Sequence, residues 1–367
     1  MAELSVEPLP ADPLAWRPDA MWAWVNQANS FSVSGQARVG AVMPMLAADG
    51  ARRPVFVRFS RVQLVQTQGY SWTNHLADEM LEFSFLPDRI ELTVTENLPD
   101  VLLARLVPLA GMARLADTMG GMPTIKQLPV SLGDSDWGKQ CLAFSSQQED
   151  AWLIPDPYFF LTRAYSDEKD TISSLWMSWK SRKAQLYWRG ASSGMQKYTD
   201  HAESQRVRLV LLKMESSHPE LYDTGFVSLN GVEESVAARI RAMHGLRDPE
   251  PQMNILQFRY NADVDGWSCA WTGLFIKLLA GSPVLKVKSD FGFRQWYYNR
   301  LVSWRNFISV SSDLSDLEHC LNVLEARPDL ANEIGEEGRA LASGMTFESE
   351  FEAAALQLRS FATSLAN

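Results

Sequence analysis

A two-domain α/β protein is what this sequence predicts, on three observations. The chain is 367 residues long, beyond the size at which a single hydrophobic core usually keeps growing. Its hydrophobic content of 46% is that of an ordinary globular protein. In its second half, short apolar runs of strand length alternate with longer runs of helical period. That alternation implies a parallel sheet with helices on both faces.

Along the first half, residues 54–59 and 90–95 read as strands, being apolar or alternating over strand length. Residues 102–119 carry apolar positions at helical spacing and stop at Gly120 and Gly121. Pro155 and Pro157 forbid a helix through 153–157 and predict an extended connection. The domain crossing is placed between there and Lys183, giving domains of 1–175 and 176–346. Residues 184–188 form the next strand, and 204–214 a helix with Val207, Val210, Leu211 and Met214 on one face. Strands at 226–229, 283–287 and 307–310 alternate with a helix at 268–281. Asp313 is positioned to cap a helix that turns Leu314, Leu317, Leu321 and Leu324 inward. A final helix, 347–364, presents Phe347, Phe351, Ala354, Leu358 and Phe361.

Composition excludes several classes. The 44 acidic residues against 34 basic ones give a formal charge of -10, which argues against a nucleic-acid binder or polybasic membrane binder. Cys141, Cys269 and Cys320 are sparse, odd in number and without CxxC spacing. They predict reduced thiols and neither a disulfide framework nor a zinc site. The five histidines are scattered, with no metal-ligand spacing and no Ser/His/Asp set. No signal peptide is read at the start, and no apolar run approaches the ~18 residues of a membrane span. GxxxxGK[ST] and GxGxxG loops are absent, against a P-loop NTPase or a dinucleotide oxidoreductase.

The residues that could carry chemistry cluster in the second half. Arg189 and Gly190 end an apolar strand, and an arginine there would point into the crevice where α/β sheets bind ligands. Its guanidinium could grip a diphosphate bidentately, with Gly190 admitting the backbone and Ser192 or Ser193 donating to phosphate oxygens. The plainer alternative is an arginine paired with a carboxylate at a domain edge. Asp265, Gly266, Trp267 and Ser268 lie where a strand should turn into a helix. Amides at such a start suit an anion, with Ser268 as phosphate contact or simple N-cap. Asp263 and Asp265 also imitate the DxD triplet by which some enzymes hold a divalent metal and a nucleotide-linked substrate. Residues 134–136 have the same form, so the triplet is a weak signal. The 13 tryptophans include candidates for stacking on sugar rings, chiefly Trp152, Trp267, Trp271 and Trp296. Core packing is the commoner fate of any one of them, as expected for Trp22 and Trp24.

The ordered series from Tyr187 to Asp316 resembles the CAP10-type glycosyltransferases, family 90, which include lipopolysaccharide-core enzymes and protein O-glucosyltransferases. It runs from Trp188-Arg189-Gly190 through 261–271 and the Leu-Leu-Ala-Gly stretch at 278–281. It continues through the strand at 283–287 and the aromatic block 291–304 to 311–316. The resemblance implies a GT-B-like arrangement, two facing Rossmann-like α/β domains with a cleft between them. The second domain would hold a UDP-sugar, with Arg189, Gly190, Ser192, Arg206, Asp265, Gly266, Ser268 and Trp271 as donor contacts. The first would offer the glycan acceptor, Trp152 and Trp267 stacking on sugar. The final helix would cross back onto the first domain.

Transfer would be inverting and metal-independent, with the UDP-sugar as co-substrate and no further cofactor. The base would be a carboxylate after an apolar strand and before a proline. Glu96 is the first choice, followed by Asp100 and Asp150, although strict proline alignment places Asn97 there. Relatives carry an arginine near 270–272, where this chain has Ala270, Trp271 and Thr272, so phosphate neutralisation must come from elsewhere. The acceptor implied is a lipopolysaccharide-core or capsule glycan. The implied location is the cytoplasm, with at most peripheral contact at the inner membrane face and no nucleic-acid partner. Two alternatives stay open: a metal-dependent transferase using Asp263 and Asp265, and a non-catalytic glycan- or nucleotide-binding protein on the same scaffold.

Overall fold

The computed structural model describes residues 6–33, 40–50, 52–60, 79–96, 98–136 and 140–366. The fold is mixed α/β in two compact units. One comprises Met1–Ala164 with Thr346–Asn367, the other Tyr165–Met345.

The first unit is built on a seven-stranded sheet. Its strands are β1 (Val42–Leu46), β2 (Val55–Ser60), β3 (Met80–Phe85), β4 (Ile90–Thr95), β5 (Ile125–Ser131), β6 (Leu142–Ala143) and β7 (Trp152–Leu153). Their order is β1-β2-β4-β3-β5-β6-β7. The sheet is mixed: β2 runs parallel to β4, whereas β3 is antiparallel to both β4 and β5. Helix α1 (Pro18–Val33) precedes the sheet, and helix α2 (Asp100–Thr118) is buried along most of its length. Its Arg114 is fully buried and donates to the carbonyls of Ala11, Ala47 and Arg53, tying three chain segments to one guanidinium. Helices α3 (Pro157–Leu161) and α4 (Ser166–Ser174) follow, the second already in the other unit. The C-terminal helix α10 (Phe347–Ala366) belongs to the first unit. Its Phe351 ring fills the space at Gly111, where a Cβ would lie 2.6 Å from it, and its Arg359 donates to the carbonyls of Ala116 and Gly121.

The second unit holds an all-parallel five-stranded sheet: β8 (Lys183–Ala191), β9 (Tyr222–Ser228), β10 (Phe258–Asp263), β11 (Val284–Val287) and β12 (Ile308–Val310). The order is β12-β11-β10-β8-β9. From β8 the chain steps outward to β9 on one side. From β10 it steps outward through β11 and β12 on the other. The direction of winding therefore reverses between β8 and β10, the place where open parallel sheets leave a crevice at their carboxyl ends. The helices are α5 (Gln205–Glu215), α6 (Glu234–Ala242), α7 (Thr272–Leu279), α8 (Leu317–Ala326) and α9 (Pro328–Gly344).

Four details depart from the sequence expectation. Met214 is exposed because it lies in the last turn of α5, while Leu209 is buried in its stead. Helix α7 begins four residues later than expected, after the turn that carries Ser268. Asp313 does not cap α8: it binds Ser315, and Asp316 stands before the helix. Of the two tryptophans expected in the core, Trp24 is buried and donates to the Pro44 carbonyl, whereas Trp22 is exposed. All three cysteines are buried free thiols.

Candidate active site

At the reversal point of the second sheet, two loops meet: 192–204 after β8 and 264–271 after β10. They touch backbone to backbone at two glycines. Gly194 has φ +85°, and a Cβ on it would lie 2.1 Å from the Gly266 carbonyl oxygen, so no other residue fits without parting the loops. Into this junction reaches Arg206 from the first turn of α5, which Ser204 caps through the Val207 amide. The Arg206 Nε donates to the Asp265 carbonyl at 2.8 Å. Its Nη1 donates to the Ala191 carbonyl at 2.6 Å and to Ser193 Oγ at 3.0 Å. All these acceptors are neutral, so its charge is fixed in place without being cancelled by a contacting carboxylate. Burial pushes the Arg206 guanidinium down to about 10, with Asp265 and Asp263 acting the other way. It stays a cation at neutral pH.

The two acidic residues of the triplet are occupied. Asp263 is fully buried, its Oδ1 accepting from Lys277 at 2.8 Å and its Oδ2 from Lys286 at 2.9 Å. Lys286 also reaches Asp265 Oδ1 at 3.0 Å. Burial alone would raise the Asp263 carboxyl, but the two ammonium groups outweigh it and hold it well below the usual range. Burial works against the Lys286 charge, and Asp265 and Asp263 more than restore it, lifting its pKa above the ordinary value.

Lys197 stands beside this set, its Nζ 4.4 Å from the centre of the Phe291 ring and 5.1 Å from that of Phe293. With Arg206, Lys277 and Lys286 it makes four cations against the two carboxylates Asp263 and Asp265, an excess of two positive charges within the group. A small recess of about 10 Å³, room for about one water molecule, lies here, lined by Gly194, Lys197, Arg206, Asp265, Ser289 and Phe291 among others. Asp265 Oδ2 and Ser268 Oγ are buried and find no hydrogen-bond partner among the described residues. Buried polar atoms are seldom left so unless a ligand or water completes them.

Several expected donor contacts lie elsewhere or act differently. Arg189 does not enter the crevice. Its arm runs back along the sheet, where Nη2 meets Asp223 Oδ1 at 2.8 Å and Glu250 Oε1 at 3.3 Å, and Nη1 meets the Asp223 carbonyl. This is the carboxylate-paired alternative, favoured because two acids lie within reach on that face. Gly190 is required by packing, since a Cβ would sit 2.4 Å from the Trp188 ring. Ser192 is buried and donates to the Asn230 carbonyl, leaving Ser193 as the hydroxyl at the junction. Ser268 does not cap α7; Trp271 holds that position, with φ 48° and ψ -124°. Trp267 is exposed at the loop surface. Trp296 stacks on Phe275.

In the first unit, Glu96 follows directly on β4, half-buried, its amide bonded to the Ser60 carbonyl. It thus sits at the carboxyl end of the parallel pair β2 and β4. Asp100 opens α2, Asp150 is exposed, and Asn97 lies outside the described residues. Trp152 packs its ring on Phe361 of α10, 5.4 Å between centres. Sequence reasoning missed Lys197, Lys277 and Lys286. Lys286 did leave a signal: a lysine inside the buried strand 283–287 needs a buried partner.

The family model for "Glycosyl transferase family 90" matches residues 166–348, which takes in this whole junction. That span belongs to glycosyl transferase family 90. Among curated relatives, Protein O-glucosyltransferase 3 from Homo sapiens is 24% identical over 166 residues, 45% of this chain and 29% of the relative. Uncharacterized protein 035R of Invertebrate iridescent virus 3 is 28% identical over 153 residues, 38% of this chain and 13% of that protein. The chain thus spans less than a third of the length of these relatives. Among solved structures, HepE from Anabaena in complex with UDP and glucose aligns at a TM-score of 0.36 and 10% identity, over 53% of this chain and 52% of that one. TarM aligns at 0.35 and 13%, over 47% and 34%. Among the described residues, no helix is long and apolar enough to cross a membrane, and no group of three or more His, Cys, Asp or Glu could hold a metal ion.

Proposed function

We propose that this protein is an inverting glycosyltransferase that moves a sugar from a UDP-sugar to a glycan hydroxyl without a metal ion. The observation that carries the reading is Arg206, held by neutral acceptors at the sheet's reversal point, with excess positive charge around it and orphaned polar atoms beside it. That is the chemistry of a diphosphate site. The family match supports sugar transfer, and the relative's name supports a glucosyl-type sugar. The lysine pairs on Asp263 and Asp265 favour the metal-independent reading over the DxD alternative: both carboxylates already have cations. Arg206, Ser193 and Ser268 are the proposed donor contacts, with Gly266 admitting the phosphates.

In the proposed reaction, the acceptor oxygen attacks the anomeric carbon from the face opposite the diphosphate. Its proton passes to a carboxylate, for which Glu96 is the choice and Asp100 the second. The bond from the anomeric carbon to the phosphate oxygen breaks, and UDP leaves with the electron pair. The charge growing on UDP meets the fixed cations, which need not reorganise. The acceptor, by family analogy alone, is a lipopolysaccharide-core or capsule glycan, with the protein working at the cytoplasmic membrane face. Titration calorimetry with UDP in the presence of EDTA tests the donor assignment. Heat from a single site is expected. No binding, or binding only after Mn²⁺ is added, would refute the metal-independent donor site.

A further inference from the structure

We infer that Lys197 is, beside Arg206, the second cation on the donor diphosphate. The inference rests on the proposed UDP site and assigns a residue that no family motif in the chain marks. Lys197 ends a short helical turn, Met195–Lys197, just after Gly194. It lines the same recess as Arg206 and Asp265. Its ammonium lies over two aromatic rings, and among the described residues it has no hydrogen bond or ion pair. A lysine so placed is held in position by cation–π contact while its three donors stay unused. Lys277 and Lys286 cannot do this work, because Asp263 and Asp265 engage them.

The groups facing Lys197 fix how it responds to pH. Burial pushes its ammonium down to about 8, Asp265 opposes that fall, and Arg206 adds to it; Cys269 and Asp290 act weakly in the same sense as Asp265. Asp290 is taken by Arg208 and by the Tyr198 hydroxyl. Burial, then Asp265, drives the Cys269 thiol well above its ordinary value. Burial, then Asp290, does the same to Tyr198. Lys197 is therefore the neighbouring group whose charge changes most between about pH 7 and about pH 9, below the Arg206 value of about 10. An anion binds the protonated form, so affinity is full below the Lys197 pKa and falls as pH rises through it.

The test is UDP binding by calorimetry at about pH 7 and about pH 9, where the phosphate charge is nearly constant and Arg206 keeps its proton. The parent should weaken by about tenfold or more across that range. Lys197→Met should be weaker at the lower pH, by about tenfold or more, and nearly flat with pH. Lys197→Arg, whose charge is permanent, should bind at both values and lose the slope. Thermal melts of each variant should match the parent, since the side chain makes no bond that the fold needs. A Lys197→Met protein that keeps the parent's affinity and slope would overturn the inference and leave the UDP site intact. A parent that binds no UDP at either pH would instead overturn the site itself, and this inference with it.

Discussion

Arg189 and Arg206 border the same strand and meet opposite fates. Arg189 lies against Asp223 and Glu250, so its charge is cancelled by acids and its role is to tie β8 to β9 and the 250 region. Arg206 is bonded as firmly, but to carbonyls and a hydroxyl, so its position is fixed while its charge is left over. Binding sites are made by the second kind of arrangement. A fully ion-paired arginine has nothing to offer an incoming anion, and a free surface arginine has no fixed place to offer it.

Four experiments would break or sharpen that contrast. The largest effect is expected from Asp263→Asn, which strands Lys277 beside a buried amide and leaves Lys286 with Asp265 alone. Stability should fall by about 3–5 kcal/mol in urea denaturation. The sign with pH follows from the depressed Asp263 pKa: its contribution is present above the unfolded value near ~4 and is lost as pH falls below it. The gap between parent and variant should therefore narrow in acid. A variant as stable as the parent would mean that the lysines are not held by this carboxylate.

Glu96→Gln should cut sugar transfer by roughly 10²-fold while leaving UDP affinity unchanged, because a base acts on the acceptor in the transition state. Full activity in that variant would pass the role to Asp100. Arg206→Ala should weaken UDP binding by about 1.5–3 kcal/mol. Arg189→Ala, in the same titration, should bind UDP within about twofold of the parent and lose stability instead, since Asp223 and Glu250 are left unpaired. If the two variants behave the other way round, the assignment of charges to the two faces of β8 is wrong.

The α/β alternation was legible because it rests on bulky apolar periodicity. Strands β2, β4, β8 and β11 and helices α2, α5 and α10 fall within a few residues of their expected places. Helix α9 was not read, and the reason is physical. Its buried face is Ala331, Gly335, Gly338 and Ala342 with a single bulky Ile334. A Cβ at Gly335 would meet the Gly281 carbonyl at 2.5 Å. A helix that packs by being thin shows no hydrophobic stripe. At the site, sequence order located the right loops but not the right atoms. Whether Arg189 or Arg206 turns to the crevice depends on which carboxylates lie within reach after folding. Ser192 and Ser193 are adjacent, and only strand pleat and loop path decide which hydroxyl is spent on Asn230.

The contact between Gly194 and Gly266 has a consequence for anyone redesigning the donor preference. Two loops that are about seventy residues apart in sequence behave as one mechanical part, joined where the Gly266 carbonyl leaves Gly194 no room for a side chain. A library that varies one loop alone will mostly sample broken hinges. Exchanging the two together, with Gly194 retained, treats the pair as the single interchangeable cartridge that the backbone makes of it.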